Sequence, residues 1–208
     1  MQKGSGRMSE VTYTSPLGHL DADDDAANLS IAIDEISDRG MIDLRGEAGS
    51  AKFRQAAKAA LGVELPLAPR TAAIRGDVTI LWLSIDQWLV CCPRANTGGL
   101  LEKLRKNLDA IHSLCVDVSD ARAIVRLQGD NALEVLMKGS SVDFTLPENR
   151  AGMVRRLMFA EIAALVHVVS DKPCNVDLYV FRSYADYTWK WIRATAKPAA
   201  SIGLFKAR

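Results

Sequence analysis

The residues able to do chemistry in this 208-residue chain are few and widely spaced. His19, His112 and His167 stand far apart, and none has a second ligand at the H-x-x-x-H spacing that puts two imidazoles on one helix face. Cys91, Cys92, Cys115 and Cys174 form no C-x-x-C pair. Cys91 and Cys92, being adjacent, point to opposite faces of any strand that holds them. These imidazoles and thiols are therefore expected to be structural, with the thiols reduced. Asp117 and Asp120 flank Val118-Ser119; two loop carboxylates can do acid–base work, but turn and capping roles are the expected ones. Asp21, Asp23, Asp24 and Asp25 would suit a hard cation, yet the following Ala-Ala-Asn-Leu supplies neither the glycine turn nor the closing glutamate of a calcium loop. An acidic solvated tail, or one lying across a partner, is expected. Gly46 and Gly49 make no phosphate loop, and Gly98-Gly99 reads as a connection before a helix. No nucleophile, base and orienting group can be assembled from these parts.

What the chain does concentrate is aromatic surface. Residues 177–192, Asp-Leu-Tyr-Val-Phe-Arg-Ser-Tyr-Ala-Asp-Tyr-Thr-Trp-Lys-Trp-Ile, hold three of its four tyrosines and two of its four tryptophans. The first five residues predict a strand with both faces apolar. A helix follows, with Ser183 as N-cap and Asp186 completing a short capping box. Tyr184, Tyr187, Thr188 and Trp191 share one side of it, and Ala185, Trp189 and Ile192 another. Two readings stay open: the helix packs on its own domain, or one aromatic side anchors a different subunit. On the second reading the candidate partner interface is Tyr184, Tyr187, Trp189 and Trp191. A base-stacking platform lacks its basic groove, because 26 basic and 25 acidic side chains leave a net charge of +1.

The elements that must position these residues follow from hydrophobic spacing. Strand-like pieces surround a turn at 38–40, and a helix over 50–61 is stopped by Gly62. Strands at 78–83 and 87–92 lead to a helix over 98–108. Beyond it come a strand at 121–127, a helix from 132 to Gly139, and strands at 153–159 and 162–169. On the strand at 121–127, Arg122 and Arg126 face opposite to Ala123, Val125 and Leu127, either in salt bridges on a covered face or toward a partner. Strands joined directly in pairs predict an α+β fold with mixed or antiparallel sheets and packed helices. The expected organisation is an extended or flexible N-terminal arm (1–28), a first α+β subdomain (29–118), and a second (119–208) carrying the aromatic helix. No apolar stretch follows the first basic residues, and no run is long enough to cross a bilayer, so a cytoplasmic protein without membrane or nucleic-acid partners is expected, with Met8 a second plausible start.

Several segments, taken in order, resemble the gamma subunit of heterotetrameric sarcosine oxidase: Ser15-Pro-Leu-Gly-His-Leu20, Asp43-Leu-Arg-Gly46, Gly62-Val-Glu-Leu-Pro66 and Leu81-Trp-Leu-Ser-Ile-Asp-Gln-Trp-Leu89. Val116-Asp-Val-Ser-Asp-Ala-Arg122, Leu127-Gln-Gly-Asp-Asn-Ala132, Leu136-Met-Lys-Gly139 and Arg182-Ser-Tyr-Ala-Asp-Tyr-Thr-Trp-Lys-Trp191 continue the match. The resemblance implies a reduced form of the aminomethyltransferase folate-binding domain, built of two small α+β subdomains. It also implies a complex that oxidatively demethylates sarcosine to glycine, releasing hydrogen peroxide and passing the one-carbon unit to tetrahydrofolate. In that family the alpha and beta subunits hold FAD, FMN, NAD and tetrahydrofolate, and the delta subunit holds zinc. The gamma chain is then a non-catalytic partner of alpha, beta and delta, with no catalytic, cofactor or metal residue of its own. Leu83-Ser-Ile-Asp86 departs from the commoner Leu-Gly-Pro-Asp, which alters the turn preference there. A stand-alone folate-dependent one-carbon transferase and a structural subunit of another oxidoreductase are the alternatives.

Overall fold

A computed structural model describes residues 13–20 and 28–203. Along the first half the chain forms β1 (Ala32–Glu35), β2 (Arg39–Gly46), α1 (Ala51–Leu61), β3 (Ala72–Arg75), β4 (Val78–Ser84), β5 (Gln87–Pro93), α2 (Thr97–Leu108) and β6 (Ser113–Asp117). The second half forms β7 (Arg122–Gln128), α3 (Ala132–Gly139), β8 (Val154–Phe159), β9 (Ile162–Asp171), β10 (Cys174–Phe181) and α4 (Ala185–Thr195). Two five-stranded antiparallel sheets result, ordered β3-β4-β5-β2-β6 and β8-β9-β10-β7-β1. The fold class is α+β, as the paired strands predict.

Period-two alternation decides which side chains go where. From the first sheet Ile42, Leu44, Ile80, Trp88 and Val90 turn toward Phe53, Ala57 and Leu61 of α1 and Leu101 and Leu104 of α2. From the second, Val125, Leu127, Val166, Leu178 and Val180 turn toward Leu133 and Leu136 of α3 and Trp189 and Ile192 of α4. The alternate residues form a third core between the sheets, made by Met41, Leu81, Leu83, Leu89, Cys91, Ile124, Val154, Leu165 and Tyr179. The layers thus run helices, sheet, sheet, helices. Matching strands position for position, β2-α1-β3-β4-β5-α2-β6 has the order of β7-α3-β8-β9-β10-α4, with β1 standing where a strand after α4 would.

That placement of β1 departs from local expectation. The turn is not at 38–40: Arg39 and Gly40 already lie in β2, and residues 36–38 carry the chain from one sheet to the other. β1 pairs antiparallel with β7, so a strand from the first half completes the second sheet. Ile31 and Ile33 then pack on the α3 and α4 side while Ile36 enters the core between the sheets. β3 and β6 are the edge strands of the first sheet, short and half exposed, and lack the continuous apolar run that marks β5. Gly40 is fixed by close approach, since a Cβ there would stand 1.7 Å from Thr97 Oγ1 at the start of α2.

The described part of the N-terminal arm, residues 13–20, lies against the chain itself. Leu17 is fully buried in the α3 and α4 core, and its N–H donates to Glu35 Oε1 at 3.1 Å. Arg94 stacks over the Tyr13 ring at 3.8 Å, and Arg182 Nη2 donates to Thr14 O at 2.6 Å. These two arginines are the first residues after β5 and β10, so the arm bridges equivalent corners of the two sheets. The aspartates at 21, 23, 24 and 25 lie outside the described residues.

Candidate functional site

The aromatic helix is held by the strand before it. After Phe181 a single 3-10 turn, Arg182–Tyr184, leads into α4, and Tyr184 occupies the N-cap position without a side-chain cap. Ser183 is therefore not the cap that the sequence predicts. Starting the helix one residue later than that leaves the Ser183 side chain exposed, while Asp186 meets His19 Nε2 at 3.1 Å. Ala185, Thr188, Trp189 and Ile192 form the buried stripe. Thr188 satisfies its hydroxyl by donating to Tyr184 O at 2.8 Å.

The four candidate interface residues separate into two pairs. Trp189 is buried in the chain's own core, and its indole N–H has no acceptor among the described residues. Trp191 is half buried and meets Phe159 edge to face at 4.8 Å, over Gly139, where a Cβ would come within 2.9 Å of the indole. Tyr184 and Tyr187 are exposed, and Tyr187 Oη donates to Ala160 O at 2.9 Å in the β8–β9 turn. The tryptophans thus belong to the chain's own packing, and the tyrosines are the exposed pair. Trp189 also lines a cavity of about 610 Å³ with Leu29, Lys190, Arg193 and Lys197. Leu20 and Asn28 border it, and the residues joining them lie outside the described part.

The scattered chemical groups stay scattered. His19 and His112 are exposed at separate places, and His167 is buried on β9 opposite Asp177 of β10. Burial lowers the His167 pKa, opposed by Asp177 and assisted by Arg126. Among the described residues no three His, Cys, Asp or Glu side chains converge as metal ligands, and the four cysteines are free. Cys91 and Cys92 do face opposite ways, toward Tyr179 and Thr97, and both faces are covered. Burial pushes the Cys91 thiol up to about 12 and raises the Tyr179 hydroxyl beside it well above its ordinary range. Asp117 accepts from Ser119 N at 2.9 Å and Oγ at 2.5 Å, a turn role, and Asp120 pairs with Arg94 at 2.6 Å.

Sequence spacing puts Arg122 and Arg126 on one face of β7, and the structure keeps them there but gives them different partners. Arg126 makes a two-pronged pair with Asp177 of the neighbouring strand, at 2.6 and 2.8 Å. Arg122, at the start of β7, lies 4.9 Å from the Phe181 ring at the end of β10. That end of the second sheet also carries the exposed Met158, and the β4–β5 turn presents the exposed Ile85. No single residue type in the sequence marks this cleft, because it is formed by residues brought together from both sheets.

The sarcosine oxidase, gamma subunit family model matches residues 45–198. A chain of the heterotetrameric sarcosine oxidase from Corynebacterium sp. U-96, solved in complex with pyrrole 2-carboxylate, superposes with a TM-score of 0.82 at 24% identity, covering 91% of this chain and 97% of that one. The glycine cleavage system aminomethyltransferase T from Bartonella henselae superposes with a TM-score of 0.55 at 16% identity, over 77% of this chain and 44% of that one. At these identities both show the shared fold. No curated protein sequence matches the chain. Among the described residues no helix is long and apolar enough to cross a membrane.

Proposed function

The chain belongs to the sarcosine oxidase gamma subunit family, and from that premise we propose that it is a non-catalytic subunit supporting assembly and stability of a heterotetrameric sarcosine oxidase. The observation that carries the reading is the family match across residues 45–198. The assembled enzyme oxidatively demethylates sarcosine to glycine; oxygen is reduced to hydrogen peroxide and the one-carbon unit passes to tetrahydrofolate. FAD, FMN, NAD and tetrahydrofolate belong to its alpha and beta subunits and zinc to delta, and these three chains are the partners of this one in the cytoplasm. Within the chain, residues 29–118 and 119–208 act as two subdomains after the arm, 1–28, tied together by β1 and by the described residues 13–20 of that arm.

The core supports a bracing role. Among the described residues the two buried carboxylates are engaged by the fold: Asp177 by Arg126, and Glu134 by the Ile202 N–H at 2.9 Å and Lys138 Nζ at 3.4 Å. Both are thus held by contacts within the chain. Tyr184 and Tyr187 are the contact residues we assign to the partner interface, with Trp189 and Trp191 kept to the chain's own packing.

Coexpression with the other subunits tests this directly. Native mass spectrometry should find the chain in a complex with three other chains, and the chain alone should produce no sarcosine-dependent peroxide. Sarcosine oxidation by the isolated chain, or its specific micromolar binding of tetrahydrofolate, would favour the transferase reading instead. Recovery with subunits of a different oxidoreductase would overturn the proposed complex.

A further inference from the structure

Arg122 and Arg156 stand together at one end of the second sheet, Arg122 half-buried and Arg156 exposed. Both lie on the face of the second sheet that turns toward the first, Arg122 on β7 and Arg156 on β8. Among the described residues the side chain of neither makes a hydrogen bond or an ion pair. Arg122 has only the Phe181 ring, and its burial and the charge of Arg156 both act against its proton. Asp43 is a carboxylate that acts on it favourably without an ion pair, and the Asp43 oxygens accept from Gln87 Nε2, at 2.9 and 3.0 Å. Arg122, being partly desolvated, is the one that gains most from a carboxylate that completes the pair.

The space around them is shaped for such a group. A cavity of about 100 Å³ is lined by Leu83, Gln87, Arg122, Arg156, Leu165 and Phe181. A second, of about 240 Å³, shares Leu83 and Arg156 and continues to Arg70, Arg155 and Trp82. Of the lining, Phe181 is 44% exposed, and two neighbours of lining residues are apolar and left in water: Met158, paired with Ala163, is 59% exposed, and Ile85, in the turn between Leu83 and Gln87, 79%. The smaller cavity suits one carboxylate, whereas the apolar rim on both sheets calls for further covalently attached surface. A peptide supplies both.

We propose that this cleft receives an acidic segment of a partner subunit, with a side-chain carboxylate between Arg122 and Arg156 and apolar neighbours on Phe181, Met158 and Ile85. The proposal rests on the subunit reading above and adds a second contact region to the exposed tyrosines. It explains why Arg122, unlike Arg126, has no internal partner: its partner is on another chain.

Arginine modification by phenylglyoxal tests this without changing the sequence. Arg122 and Arg156 should react at least about tenfold more slowly in the purified complex than in the full chain alone, because charge-assisted contacts at an interface exclude the reagent. Coexpressed R122E/R156E should be recovered with the tagged remaining subunits at roughly one tenth of the wild-type yield, with R156K near wild type. Equal modification rates in free and assembled chain, or undiminished recovery of R122E/R156E, would overturn the proposal. So would millimolar acetate protecting the free chain as fully as assembly does, since that marks a small-anion site. A wild-type chain that never joins the complex overturns the subunit reading and this inference together. One that joins while both arginines stay reactive overturns this inference alone.

Discussion

At the scale of single residues, burial decides the chemistry of the groups that look reactive in the sequence. His167 faces the Asp177–Arg126 pair from the adjoining strand, and its Nε2 has no partner among the described residues. Burial holds its pKa below the ordinary 6.5, so the unfolded chain binds a proton that the folded chain does not. Stability present above that pH is therefore lost as pH falls toward the lowered value. His167→Leu should flatten this acid limb: the wild-type Tm falls faster than the variant's between about pH 7 and 5. An unchanged pH difference between the two would assign the limb to other groups. Cys91 gives the opposite sign. Its thiol is raised from 9.0 to about 12, so the folded chain keeps a proton that the unfolded chain releases, and stability falls as pH rises through that window. Ellman's reagent should consequently leave Cys91 unmodified in the native protein near pH 8 and titrate it after denaturation. Rapid native labelling of Cys91, located by peptide mapping, would contradict this.

At the scale of elements, close approach between backbone and rings sets what the sequence must supply. Gly139 ends α3 where a Cβ would meet Phe159 at 2.6 Å and Trp191 at 2.9 Å. Gly139→Ala should destabilise the fold by about 1–3 kcal/mol, because the aromatic pair must shift from its rotamers; a thermal melt at or above wild type would refute the packing argument. Ser50, whose Oγ accepts from Phe53 N at 3.3 Å, and Gly62, in the left-handed region at φ 77°, bound α1 where the sequence predicts. Such signals are legible because capping and left-handed closure depend on local chemistry. β3 and β6 are not legible because their pairing, and not their composition, makes them strands. β1 is legible as a strand but not as a member of the second sheet, since its register with β7 spans more than ninety residues, as in Ala32 opposite Gln128. The cleft at Arg122 was hidden for the same reason. Arg122 and Arg126 are identical in the pattern, and only the strand beside them tells which one meets an aspartate.

At the scale of the whole molecule, the layered arrangement separates residues that hold the chain together from residues free to hold something else. The helices cover the outer faces and the sheets cover each other, so the aromatic segment is divided by depth within a few residues. Trp191 belongs to the interior by its edge-to-face contact with Phe159, whereas Tyr184 and Tyr187 are exposed at an end the layers do not close. Their substitutions should therefore divide into two classes. Trp191→Ala should cost about 3 kcal/mol of stability, read as a Tm lower by roughly 6–12 °C, and should weaken partner recovery only as far as the folded fraction falls. Tyr184→Ala with Tyr187→Ala removes little internal packing and one exposed hydrogen bond to Ala160, a loss of about 1 kcal/mol. That double variant should keep its melting behaviour near wild type yet lose at least about tenfold in recovery with the tagged remaining subunits, because exposed aromatic anchors concentrate binding energy. The two readouts, melting of the free chain and capture by its partners, must move in opposite order for the two variants. If they fall together in both, the tyrosines are part of the core's stability, and the contact between chains must be sought at the arginine cleft alone.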